Sequence, residues 1–162
     1  MVYIGCDDGT FYAIDLATGK ERWKYAARDA IKSSPCASSE TVYFGDDAGV
    51  LHAVAARDGG LRWKFETRDS IISSPLPIDE RIIFGSYNGS LYCLAAADGK
   101  QVWKYDTEDK VHAAPTIADD VALISGCDTK LHVVKLAAAG AVVVVHCPRS
   151  LWRPLVAARS LR

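Results

Sequence analysis

A step of 40 residues constrains this chain more than any other feature. Trp23, Trp63 and Trp103 fall on that step, as do Gly5, Gly45 and Gly85, then Gly9, Gly49 and Gly89, then Gly19, Gly59 and Gly99. Ser33-Ser34-Pro35, Ser73-Ser74-Pro75 and Ala113-Ala114-Pro115 keep the same register. Self-similarity at a fixed period means an array of one supersecondary unit, each unit burying its apolar surface on its neighbours. The units run 2–41, 42–81 and 82–121, with a partial copy over 122–134.

One unit reads as four short strands. Over 71–106, Ile71–Ile78 forms the first, with Pro75 and Pro77 restricting its pairing. Arg81–Gly85 is a continuous apolar run suited to burial on both faces. Asn88-Gly89 is a hairpin signal, expected as a type I′ turn. Ser90–Ala95 is the third strand, Asp98-Gly99 the next turn, and Gln101–Asp106 the fourth strand. No segment holds a helical period. Four antiparallel strands per 40 residues predict an all-β fold, a β-propeller of about 3.5–4 four-stranded blades.

The fourth strand is expected at the outer edge. Trp23 and Tyr25 share one of its faces and the charged Arg22 and Lys24 the other, which opposes edge-to-edge pairing with other chains. Trp23, Trp63 and Trp103, with Gly19, Gly59 and Gly99, are the candidate blade-docking residues. A buried tryptophan removes 150–250 Å² from water, or ~4–6 kcal/mol as an upper bound. Its indole N–H needs an acceptor, which a backbone carbonyl in the adjacent turn could supply. Ser33, Ser34, Ser73, Ser74, Ala113 and Ala114 are small enough to line a narrow central channel.

Charge divides the chain. Residues 1–134 carry a net −6 and 135–162 a net +5. The second stretch departs from the repeat: Val143 stands at the tryptophan position and Lys135 at that of Asp15. It is either non-native sequence at the end of a fragment, or a degenerate set of closing strands for a four-bladed ring. No basic surplus points to nucleic acid. No apolar run approaches the roughly 20 residues of a membrane helix, and no signal peptide is visible at Met1. Five cysteines without Cys-x-x-Cys spacing read as mostly buried thiols and lean weakly towards a reducing compartment.

Candidate chemistry is thin. The paired carboxylates Asp7-Asp8, Asp46-Asp47 and Asp119-Asp120 sit in predicted turns, where Asp bonds its own backbone, and no calcium loop completes them. His52 and His132 share a repeat position with Tyr12 and Tyr92, which points to a packed amphipathic site, and neither they nor His112 and His146 show zinc spacing. The serines lack a positioned base. No catalytic, cofactor-binding or metal residues are therefore assigned.

Ala13-x-Asp15-x-x-Thr18-Gly19-Lys20-x-x-Trp23 resembles the tryptophan-docking motif of the pyrroloquinoline-quinone-like (PQQ-like) β-propeller repeat family. Copies at Ala53–Trp63 and Cys93–Trp103 keep the glycine and the tryptophan. The family includes quinoprotein dehydrogenases and the scaffold lipoprotein of outer-membrane assembly. The resemblance covers about 2–134. It implies a ring of seven or eight blades, of which this chain would be a fragment, and a periplasmic setting. It also implies that PQQ with calcium would need a complete parent ring. The dehydrogenases it resembles commonly carry a vicinal Cys-Cys that this chain lacks. The expected role is a non-catalytic scaffold or sensor segment with protein partners and, if it is a fragment, with the remaining blades. The alternative is part of a quinoprotein dehydrogenase.

Overall fold

The computed structural model describes residues 1–38 and 40–136, and the backbone alone of 142–146. All regular structure among them is β, in four antiparallel sheets. The first holds β1 (Val2–Gly5), β2 (Thr10–Ile14) and β3 (Glu21–Ala26). The second holds β4 (Cys36–Ala37), β5 (Thr41–Gly45), β6 (Val50–Ala55) and β7 (Leu61–Glu66). The third holds β8 (Leu76–Ile78), β9 (Arg81–Ser86), β10 (Ser90–Ala95) and β11 (Gln101–Asp106). The fourth holds β12 (Thr116–Ala118), β13 (Val121–Ser125), β14 (Lys130–Lys135) and β15 (Val142–His146). Each is a meander in chain order. One 40-residue unit thus supplies the last three strands of one sheet and the first strand of the next. The tail of the sequence begins inside the fourth sheet, because β15 pairs with β14.

Two local expectations need correction. The first strand is shorter than 71–78: only Leu76–Ile78 pairs, through Pro77 opposite Ile82, while Ile71 leaves the ladder to become a buried plug. Pro77 survives there because β8 is an edge strand, whose second side needs no N–H donor. The Asn88-Gly89 turn is not type I′. Ser86 pairs with Ser90 around a three-residue loop, in which Gly89 alone has positive φ (84°) and its N–H donates to Ser86 O at 3.2 Å. A type I turn closed by a left-handed residue has this form. It recurs at Gly9 and Gly49, and Thr129 takes the left-handed place in the fourth sheet (φ 65°).

The core lies between sheets rather than within them. Phe11, Ala13 and Trp23 of the first sheet pack on Val42, Phe44 and Val54 of the second. Tyr43, Leu51 and Trp63 pack on Ile82, Phe84 and Leu94. Ile83, Leu91 and Trp103 pack on Ala122, Ile124 and Val134. Strands β5 and β9 are therefore buried on both faces, whereas β1 and β13, in the terminal sheets, alternate. The connectors add Ile31, Ile71 and Val111. Each presses on a glycine of the second strand, so closely that a Cβ on Gly5, Gly45 or Gly85 would lie 2.2–2.3 Å from it. The first strands β4 and β8 of neighbouring sheets approach each other, which places the innermost edge of the blades. No helix among the described residues is long and apolar enough to cross a membrane.

Candidate functional site

The tryptophans lie at the sheet interfaces. Trp23 Nε1 donates to Ala56 O at 3.1 Å and Trp63 Nε1 to Ala96 O at 2.9 Å, each carbonyl lying in the turn between the last two strands of the following sheet. In that turn the indole also covers the glycine: a Cβ on Gly59 would sit 2.6 Å from Trp23, and one on Gly99 2.5 Å from Trp63. Both glycines have positive φ (74° and 72°). Gly19 keeps the same backbone (φ 67°) with nothing near it. Trp103 differs. It is buried, yet its Nε1 finds no acceptor among the described residues. The carbonyl at the equivalent position, Leu136 O, instead accepts from Arg81 Nη1 at 2.7 Å.

The small residues before each first strand divide. Ser33 and Ser73 are buried. Gly45 N donates to Ser33 Oγ at 2.7 Å, and Gly85 N to Ser73 Oγ at 3.1 Å. Their hydroxyls thus tie the connector to the second strand. Ser34 and Ala114 are exposed, and Ser74 and Ala113 are half-buried.

A relay not read from the sequence crosses two of the three interfaces. Asp46 and His52 are both buried, with Asp46 Oδ2 2.9 Å from His52 Nε2, and His52 Nδ1 is 3.1 Å from the hydroxyl of Tyr25 on the preceding sheet. Asp128, His132 and Tyr105 repeat this across the third and fourth sheets at 2.8 and 3.0 Å. With the carboxylate ionised, Nε2–H donates to it and Nδ1 accepts from the tyrosine, so every polar atom of the set is satisfied. Burial opposes ionisation of Asp128, but the Lys130 N–H and His132 hold its carboxyl below the usual range. Burial, then the charge of Asp46, pushes the Tyr25 hydroxyl up, and Tyr105 is raised in the same way by burial and Asp128. Each set thus ties two neighbouring sheets together through a hydrogen bond between a tyrosine and a histidine. At the middle interface Phe65 stands in place of tyrosine, and Asn88 Nδ2 donates to Tyr92 at 2.7 Å.

The other carboxylates are occupied in turns and pairs. Asp8 accepts from Thr10 N at 2.7 Å, which lowers its pKa, and Asp47 pairs with Lys32 and accepts from Ser70 Oγ. Asp119 (φ 50°) and Asp120 form the turn before β13. His112 is exposed, edge-on to Tyr87, and the His146 side chain lies outside the described residues. The indoles are held between sheets, and among the described residues no three carboxylate, histidine or cysteine groups converge. Open clefts do run along the third and fourth sheets. One of about 370 Å³ is lined by Leu76, Pro77, Ile78, Pro115, Thr116 and Ile117. Another of about 590 Å³ is lined by Asp79, Glu80, Asp119 and Asp120 beside Arg81.

A profile of the family described as outer membrane protein assembly factor BamB matches residues 1–78 and 46–157. None of the curated proteins matches. Among solved structures, the fold is similar to BamB from Moraxella catarrhalis, with a TM-score of 0.76 and 19% identity over 88% of this chain and 48% of that one. It is similar to the computationally designed Ika8 protein, with a TM-score of 0.78 and 16% identity over 87% of this chain and 44% of that one. The designed Ika4 protein matches with a TM-score of 0.69 and 15% identity, over 90% and 84%. The chain therefore spans about half the length of the BamB structure it matches.

Proposed function

The chain belongs to the BamB-like family of PQQ-type propeller repeats, and from that premise we propose that it is a non-catalytic scaffold segment whose partners are proteins of outer-membrane assembly. The observation that carries this reading is the disposition of its reactive side chains. The buried histidines and carboxylates, and the buried serines, form hydrogen bonds within and between sheets, while the surface offers clefts between strand edges. The cleft at β8 and β12 has an apolar floor, and the separate cleft beside it, which shares Ile78, is lined by the acidic turns Asp79-Glu80 and Asp119-Asp120. The two together suit an extended peptide with apolar and basic side chains. Residues 1–134 are the repeat array in this reading, and 135–162 a divergent basic tail.

Two measurements test the proposal. Immobilised chain is exposed to the purified outer-membrane assembly complex lacking its own BamB, and binding is followed by interferometry. Saturable binding that weakens when Asp79 and Asp119 are replaced by Lys is expected. Separately, the chain is titrated with pyrroloquinoline quinone and calcium. A saturable absorbance change accompanied by dye-linked alcohol oxidation would establish the dehydrogenase alternative and overturn this one.

A further inference from the structure

The joints between sheets put one carbonyl to two different uses. It recurs at Ala56, Ala96 and Leu136, one repeat apart. At the first joint Ala56 O accepts from Trp23 Nε1 at 3.1 Å, with the Tyr3 hydroxyl more distant at 3.4 Å. At the second, Ala96 O accepts from Trp63 Nε1 at 2.9 Å. At the third, Leu136 O accepts from Arg81 Nη1 at 2.7 Å, and Trp103 Nε1 has no acceptor among the described residues.

The difference follows from one side chain. Arg81 stands at the repeat position of Thr41, each at the start of a second strand and opposite an alanine of the third, Ala95 or Ala55. Arg81 lies two residues before Ile83, which packs on Ala122, Ile124 and Val134 of the fourth sheet, so strand alternation turns both towards that sheet. A threonine is too short to reach the turn of the next sheet, and where Thr41 stands the indole keeps the carbonyl. An arginine is long enough, and its charged N–H is the stronger donor. Trp103 is only 6% exposed, so its own N–H cannot turn to water instead.

Neither arrangement satisfies everything. The observed one makes a charge-assisted bond and leaves a buried N–H unpaired. The alternative pairs the N–H and releases the guanidinium. These gains and losses are of similar size. The released charge would not be stranded, because Arg81 shares its cleft with Asp79, Glu80, Asp119 and Asp120. None of those four holds an ion pair among the described residues. One acceptor with two donors, each with a place to stand, makes a discrete two-position element.

We propose that Arg81 and Trp103 form a latch on Leu136 O at the joint of the third and fourth sheets. In one position the guanidinium holds the carbonyl. In the other Arg81 swings to the carboxylates of the cleft and the indole takes the carbonyl, as at the first two joints. The latch depends on the third joint alone, whatever the clefts bind.

The experiment is a proton–nitrogen correlation spectrum of the full chain, with the indole signals assigned by Trp23→Phe, Trp63→Phe and Trp103→Phe. In the parent, the Trp103 N–H resonates upfield of the other two, as an indole without an acceptor does. In Arg81→Thr, which copies the second joint, it moves downfield to join them while Trp23 and Trp63 stay in place. Urea unfolding gives the second readout. Trp103→Phe does not weaken the parent, but in the Arg81→Thr background it lowers the folded-to-unfolded ratio by roughly 2- to 10-fold, the loss of one neutral hydrogen bond. Arg81→Met keeps the aliphatic stem and removes every donor. It gives the same two results and stands in if Arg81→Thr does not fold. A Trp103 signal that stays put when Arg81 is replaced overturns the proposal, and so does a Trp103→Phe loss of equal size in both backgrounds.

Discussion

The pair Gly19 and Gly99 separates the backbone requirement of the turn from the seating of the indole. Both have positive φ, 67° and 72°, in turns of the same form. Alanine in that region costs ~1–2 kcal/mol, offset by ~0.4–1 kcal/mol of lost unfolded-chain freedom. Gly19→Ala, with open space around its Cβ, therefore destabilises by ~1 kcal/mol. Gly99→Ala incurs the same backbone term and also drives a methyl to 2.5 Å from Trp63 Cε3. The indole is buried and held by its bond to Ala96 O, so it cannot swing away, and overpacking of this kind adds ~1–3 kcal/mol. The expected difference between the two variants is thus ~1–3 kcal/mol. Urea unfolding at one fixed protein concentration reads it as a shift in midpoint with unchanged slope. Gly59→Ala, 2.6 Å from Trp23, should lose about as much as Gly99→Ala. If all three variants lose the same stability to within ~0.5 kcal/mol, the indoles do not seat on these turns and the stacking argument fails.

Trp63→Phe should lose ~0.5–1.5 kcal/mol with its hydrogen bond, whereas Trp103→Phe removes an N–H that has no acceptor among the described residues and should be neutral or stabilising; chemical melts giving the reverse order would contradict the hydrogen-bond assignment. The Asp128 carboxyl is held below its ordinary 3.8, so its contribution is complete above about pH 4 and is lost as pH falls through the lower folded-state value; Asp128→Asn should flatten that acid limb in a series of melts from pH 5 to pH 2. Burial raises the Cys93 thiol to about 11, while Cys6 and Cys127 are exposed, so alkylation at pH 8 followed by mass spectrometry should label those two first and Cys93 only on unfolding.

The stack is legible in the sequence because its parts recur at one step. Trp23, Trp63 and Trp103, their glycines and the strand runs all announce the same register, and that register requires sheets of four strands. The relay is not legible, because its carboxylate breaks the register. His132 lies 80 residues after His52 and Tyr105 lies 80 after Tyr25, but Asp128 lies 82 after Asp46. The same bond is made from two different places in the turn, and a search for strict periodicity passes over it. The Asn88-Gly89 turn departs from expectation for a related reason. The dipeptide suits a two-residue loop, but the pairing of Ser86 with Ser90 sets the loop at three, and ladder register outranks local preference.

The relay also shows how nearly identical blades can keep their order. An array of equal units has equal interfaces, and any sheet could then dock on any other. Here the first and third interfaces each carry a Tyr–His–Asp set, while the second replaces the tyrosine with Phe65 and the histidine with Tyr92. Sliding the chain by one unit would bring Phe65 against a histidine, or Tyr25 against Tyr92. Either leaves a buried ring nitrogen or hydroxyl without its partner, at ~1–3 kcal/mol each. Phe65→Tyr and Tyr92→His, with Asn88→Asp at the position of Asp128, would together erase that distinction. The variant should still fold, because the substituted set copies bonds already made twice in the molecule. It should also populate misregistered species on refolding, seen as slow phases in fluorescence that the parent chain lacks. A variant that refolds in a single phase identical to the parent's would show that the alternation has no part in choosing neighbours.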